Sequence, residues 1–420
     1  MAISSKRLME SMKALDFIRL STTEGERKAA EIIAGKIREA GGEPELQVFK
    51  APHYEIEEVS FEVTEPFRKK YTVTGYGFSG NDAADGIEAE FAYVENAEPI
   101  DLTDARGKIV LISGGISPDT MKRLVEAGVK GFVSPSGLWY DRASQTDLEE
   151  RMFRPMHLEN GKVPGVAMRS SDCISLVKSG AKKVRLTLRQ TEGEGDSQNV
   201  IAEIKGKKHP DQVVTFTAHY DSVVFSHGAY DNAAGSAVLL ELYRYFTENV
   251  PDRTARFIWC GSEERGLLGS KAYIAANEGK LDNVLLSINV DLAGSVLGRD
   301  TAIVLADKSL LHYIEFMYKK TGFPMSARYD TYSSDCIPFA DAGIPAVNFV
   351  RFANGGSAVC HNRYDLLSQM DGRSLARTAS FVAAFAGDMM NSVLFPVERV
   401  IPDDMKEKID KYLRKKELKK

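Results

Sequence analysis

At 420 residues the chain exceeds one ordinary hydrophobic core and implies two or three domains. Hydrophobic residues make up 43% and charged residues 27%, which excludes a disordered chain. A net charge of −5 argues against a nucleic-acid partner, since phosphate neutralisation needs a basic face, and no run approaches the ~20 apolar residues that span a bilayer.

The opening MAISSKRLMESMKALDFIRL carries charges throughout and reads as an amphipathic helix over 5–20 rather than a signal peptide. A cytoplasmic location is therefore expected, with export of a trimmed form as the alternative. Thr23 introduces a second helix through residue 40, with Ala29, Ile32, Ile33 and Ile37 on one face and Gly41 and Gly42 closing it. Strand-like alternation follows over 46–49, 56–63 and 71–73.

From 76 to 190 the segments shorten and glycines become frequent. KIVLISGG reads as a strand, MKRLVEAGVKGFVSPS as helix, turn and strand, and DCISLVKSGAKKVRLTLR as helix then strand. This predicts a small α/β module (76–190) inserted into a larger domain made of 1–75 and 191–396. From residue 197 onward strands and helices alternate regularly: QVVTFTAHYD, NAAGSAVLLELYRYF, TARFIWCG, GLLGSKAYIAANEG, NVLLSINVD, KSLLHYIEFMYKKTG, IPAVNFV and a long final helix. That alternation predicts a mixed sheet with helices on both faces. Residues 397–420 form a basic tail with Met405, Ile409, Tyr412 and Leu413 at helical spacing, read as a terminal helix docked on its own domain or, alternatively, as a membrane- or partner-binding helix.

Cys173, Cys260, Cys336 and Cys360 lie far apart with no C-x-x-C pair, so reduced thiols are expected. Cys360 adjoins His361 and reads either as a small buried residue or as a neighbour of the chemistry.

The chemistry-bearing residues stand where apolar runs stop, and strand ends are where open α/β sheets collect ligands. His219 and Asp221 close QVVTFTAHYD; two apart on an extended strand, they point the same way, so Asp221 can back the imidazole and fix its tautomer. Asp231 lies where a helix begins and also suits an N-cap. Glu263 and Glu264 follow TARFIWCG. Adjacent carboxylates there repel unless a cation compensates, and one can bind metal while the other faces an attacking water; a helix first turn is the plainer reading. Asp291 ends VLLSINVD, and His361 lies in the loop NGGSAVCHNRYD. Together, His219, Asp231, Glu264, Asp291 and His361 are candidate metal ligands, with Glu263 left over. Their nitrogen–oxygen mix suits Zn²⁺, with Co²⁺ or Mn²⁺ as substitutes, and a shared carboxylate between two cations suits attack by a bridging water. Asp335 is expected to cap the helix after it, and His227 reads as a loop residue or a pocket wall.

TAHYDS, GAYDNAAG, SEERGLLGS, NVDLAG, SSDCIPFADAGIPAVNF and CHNRYD, in this order, resemble the M28 family of zinc metallopeptidases over about residues 1–70 and 195–395. The resemblance implies a phosphorylase/hydrolase-like three-layer α/β/α sandwich with two zinc ions. It implies that His219 and Asp291 hold one, Glu264 and His361 the other, with Asp231 bridging, Glu263 as general base and Asp221 orienting His219. The inserted segment resembles a protease-associated (PA) domain through ARGKIVLISGG, EAGVKGFV and VPGVAM. The expected activity is zinc-dependent hydrolysis of a peptide substrate near a free chain end, most simply by an aminopeptidase, with Tyr329 or Tyr332 as oxyanion donor or as packing aromatics. A carboxypeptidase or dipeptidase, a single-zinc glutaminyl cyclase and a non-catalytic scaffold are the alternatives. A homo-oligomer is left open.

Overall fold

Along the strand His209–His219 of the computed structural model, Val214, Phe216 and Ala218 enter one hydrophobic cluster and Val213 enters another. The strand Arg253–Cys260 beside it sends Ala255, Phe257 and Trp259 one way and Ile258 and Cys260 the other. Period-two alternation with both sets apolar describes strands buried on both faces, so helices must cover each side. The structure describes residues 2–81, 86–137, 139, 148 and 151–415. The chain divides into two compact units, Met1–Ala51 with Gly195–Lys420, and Pro52–Glu194.

In the first unit the sheet runs in the order Met325–Tyr329, Gly298–Leu305, Ala346–Ala353, Val284–Val290, His209–His219, Arg253–Cys260 and the segment 200–204. The middle four of these are mutually parallel, while Gly298–Leu305 and 200–204 run antiparallel to their central neighbours. Three parallel strands therefore end at one edge, at His219, Cys260 and Val290, and the polar residues that follow them emerge together.

Helices Ser5–Ala14, Ala234–Glu248 and Gly372–Met390 pack against one another and feed the larger cluster. On the opposite face, Leu268–Ala276 and Cys336–Asp341 contribute Tyr273 and Phe339, whose rings stack at 5.7 Å. This is the expected three-layer α/β/α arrangement. The first helix is shorter than 5–20. It stops at Ala14, and the next residues form an irregular strap through Arg19, which is wholly buried. Two strands escape the sequence reading: Gly298–Leu305, whose apolar run TAIVL carried the signal, and the short edge strand Met325–Tyr329.

The second unit has its own sheet, ordered 183–186, Ile87–Tyr93, Ile109–Leu111, Gly131–Ser136, Gly165–Arg169, Val73–Gly77 and Arg151–Met152. Helices Pro118–Ala127 and Ser170–Lys178 cover it, with apolar clusters around Phe132 and around Val133.

The C-terminal tail forms the helix Asp403–Tyr412, with Met405 and Ile409 buried in the larger cluster. All four cysteines are free. Among the described residues no helix is long and apolar enough to cross a membrane.

Candidate metal centre

His219 is the last residue of its strand and Asp221 lies two beyond it; both are buried. Asp221 Oδ1 stands 3.4 Å from His219 Nδ1, at the long end of hydrogen-bond range. Its two oxygens do further work that sequence reasoning missed. Oδ1 accepts the Glu263 N–H at 3.0 Å and Oδ2 the Glu264 N–H at 3.1 Å. One carboxylate thus aligns the ends of two neighbouring strands.

Asp231 is not an N-cap. The helix Ala234–Glu248 starts three residues later with no side-chain cap, and Asp231 keeps an extended backbone, φ −123° and ψ 88°. Its side chain lies between two imidazoles. Asp231 Oδ1 is 3.0 Å from His219 Nε2, and Oδ2 is 3.1 Å from His361 Nε2. Each of these ring nitrogens also faces a second carboxylate: Asp291 Oδ1 lies 3.5 Å from His219 Nε2, and Glu264 Oε2 lies 3.1 Å from His361 Nε2. The ligand atoms of His219, Asp231 and Glu264 lie within 4.8 Å of one another, as do those of Asp231, Cys360 and His361. His361 is half exposed on its loop, in the left-handed region at φ 60°.

Burial is the largest influence on the carboxyls here, and it pushes those of Glu263, Glu264 and Asp291 up. Asp231 goes the other way. Burial opposes its ionisation, but hydrogen bonds from His219 and His361 hold its carboxyl well below the usual range. Burial also disfavours a charged His219, yet Glu263 and the carboxylates of Asp221, Asp231 and Asp291 outweigh it and raise the ring; Glu264 chiefly raises His361. Five acids face two imidazoles, so the cluster either takes up protons or is neutralised by cations.

The donor set fits cations. Glu264 Oε1 and Asp291 Oδ1 are buried with no hydrogen-bond partner, an arrangement that costs ~1–3 kcal/mol per group unless something else engages it. Two imidazole nitrogens with carboxylate oxygens match zinc chemistry.

Three supporting residues were not singled out from the sequence. Asp365 is wholly buried and accepts the backbone N–H groups of Tyr230 at 2.6 Å and Asp231 at 3.1 Å. Glu26 accepts from Ser197 Oγ at 2.9 Å and from the Ser262 N–H at 2.8 Å, anchoring the residue just before Glu263. Its signal was present, because Glu26 lies in phase with the buried Ala30, Ile33 and Ile37 of the helix Glu24–Glu39. Arg19 donates to the carbonyls of Tyr220, His227 and Gly228, holding the loop between Asp221 and Asp231.

Among the remaining candidates, Tyr332 packs edge-on against Phe352 with ring centroids 5.4 Å apart, and burial first, then the charges of Asp291 and Asp231, pushes its phenol up. Tyr329 points elsewhere: its hydroxyl donates to Asp404 at 2.8 Å. Asp335 does not cap the helix that follows. It accepts from Ser270 Oγ at 2.6 Å instead, because Ser270 faces it across the buried layer. His227 Nδ1 pairs with Asp16 Oδ1 at 2.8 Å. Burial pushes the Cys360 thiol up to about 12, so it is neutral beside His361.

The family model for peptidase family M28 matches residues 199–386. Aminopeptidase YwaD of Bacillus subtilis is 30% identical over 349 residues, covering 79% of this chain and 72% of its own. Carboxypeptidase Q of Bos taurus is 24% identical over 407 residues, covering 91% and 84%. Among solved structures, BSAP, a zinc aminopeptidase from Bacillus subtilis, superposes with a TM-score of 0.80 at 25% identity over 96% of this chain and 99% of that one. A peptidase M28 precursor from Shewanella amazonensis shares the fold, with a TM-score of 0.76 at 22% identity over 95% of each chain.

Proposed function

This chain belongs to peptidase family M28, and on that premise we propose that it is a two-zinc aminopeptidase that removes residues from the free amino end of peptides. It is a zinc-dependent metallo-exopeptidase. The observation that carries the two-ion reading is Asp231, whose two oxygens each approach a different imidazole at 3.0 and 3.1 Å. In this reading His219 and Asp291 would hold one zinc and Glu264 and His361 the other, with Asp231 shared between the two. When bound, the pair supplies Lewis acidity toward the scissile carbonyl and makes water a better nucleophile near neutral pH.

The chain's own groups do the rest. Glu263 takes a proton from the attacking water and delivers it to the leaving amine, so one carboxyl serves as base and then as acid. Asp221 holds Glu263 and Glu264 by their backbone N–H groups, which keeps the base and the ligand diverging from one point. The Tyr332 phenol donates to the oxyanion that forms on the carbonyl oxygen. The segment 76–190 is a PA-like insert in this reading, carried by the motifs quoted above.

A carboxypeptidase is the second reading, favoured by the matches to carboxypeptidase Q along most of the chain. It requires a cation for the substrate carboxylate. Arg351 is committed to Asp300 at 2.6 Å and to the Ser295 carbonyl, Arg265 donates to Thr22, and Arg328 and Arg363 lie over the rings of Phe352 and Tyr364. Arg351 is thereby neutralised, and the aminopeptidase reading is carried by the match to aminopeptidase YwaD at 30% identity. The deciding experiment offers zinc-loaded protein free aminoacyl-coumarins, N-blocked counterparts and peptides read out at the carboxyl end. Turnover of free amino-terminal substrates alone is expected; release from the carboxyl end of N-blocked peptides would reverse the assignment.

A further inference from the structure

The helix Asp403–Tyr412 takes no part in the chemistry above, yet it grips the loop between Tyr329 and Ser333. Asp404 accepts the Tyr329 hydroxyl at 2.8 Å. Lys408 Nζ donates to the Tyr329 carbonyl at 3.1 Å and to Asp330 at 3.0 Å. The Tyr412 hydroxyl lies 2.6 Å from Ser333 Oγ. Just past the helix, Lys415 pairs with Asp341 of the helix Cys336–Asp341 that follows the loop. The helix is itself fixed, because Met405 and Ile409 are buried in the main cluster.

Tyr332 lies between the two tethered residues, Asp330 and Ser333. Its ring packs edge-on against Phe352, on the strand Ala346–Ala353, at the margin of the main cluster. A loop without further anchors samples many backbone conformations, and a hydrogen-bond donor on it loses the alignment that catalysis needs. Lys408 binds the Tyr329 carbonyl and the Asp330 carboxylate at once, so it restrains the backbone as well as a side chain.

We propose that the helix Asp403–Tyr412 positions Tyr332 over the metal centre, with Lys408 as the positioning residue that fixes the loop. This rests on the reading of Tyr332 as oxyanion donor in a peptidase.

The test uses full-length, zinc-loaded protein and a free aminoacyl-coumarin substrate. Lys408→Met keeps the stem and removes the charge. It is expected to lower kcat roughly tenfold, with KM within about twofold and zinc content and Tm unchanged. Lys408→Arg should restore kcat. Tyr412→Phe, which deletes one hydroxyl and leaves the buried anchors alone, should give a smaller loss in the same direction. In a Tyr332→Phe background the Lys408→Met loss should vanish, since the group being positioned is gone. A wild-type kcat in Lys408→Met, or the full loss persisting in the Tyr332→Phe background, overturns the positioning role. A wild-type protein with no hydrolysis of any peptide substrate overturns the peptidase reading itself, and the proposal with it.

Discussion

Asp365 accepts the backbone N–H of Asp231 at 3.1 Å while its other oxygen takes the N–H of Tyr230 at 2.6 Å. The residue proposed to bridge two cations is therefore set by a buried carboxylate 134 positions away in the chain. Asp365→Ala leaves two buried N–H groups without an acceptor and frees the Asp231 backbone. Zinc affinity should fall about 10–100-fold, as measured by competition with a chromophoric chelator. Wild-type affinity in this variant would dismiss the role.

Glu263→Gln keeps the side-chain shape and removes the base. Turnover should drop by about 10²–10⁴-fold with zinc still bound. Metal analysis on the same sample separates this from loss of a ligand, and Glu264→Gln should show the opposite pattern, losing metal first.

Chelation should abolish hydrolysis, and zinc should restore it, with cobalt or manganese as partial substitutes. A titration that saturates at two ions per chain supports the shared Asp231. Saturation at one would return the single-zinc alternative. Full metal loading without hydrolysis across a broad peptide library would favour a scaffold.

Glu26 carries a pH signature. Burial first, then the charge of Asp221, pushes its carboxyl from 4.5 up to about 7. The folded chain thus binds that proton more tightly than the unfolded chain, so the contribution to stability is fully present below about pH 4.5 and is lost as pH rises through about 7. Thermal unfolding of zinc-depleted protein should show wild type losing ground to Glu26→Gln across that window. Parallel Tm curves would refute the assignment.

Much of the first unit was legible from local pattern. Alternation with apolar residues in both phases predicted central buried strands, and the helices between them predicted covering layers. The strand Gly298–Leu305 was passed over because it joins the sheet antiparallel, breaking the strand–helix rhythm on which the reading relied. At the centre, His219, Asp231, Glu264, Asp291 and His361 announced themselves by residue type at strand ends and loops. Arg19 and Asp365 did not, because a charged residue is read as exposed until its buried partners are known, and Glu26 showed only through its helical phase.

The sequence by itself determined the layered α/β architecture and the family, because hydrophobic period and motif order are local properties of the chain. The tertiary structure decided which atoms meet. Only the fold turns the two oxygens of Asp231 toward different imidazoles, joins Asp221 to the N–H groups of Glu263 and Glu264, and brings the C-terminal helix onto the loop bearing Tyr332. Those contacts join residues tens to more than a hundred positions apart, and parallel strands ending at one edge are what bring them together.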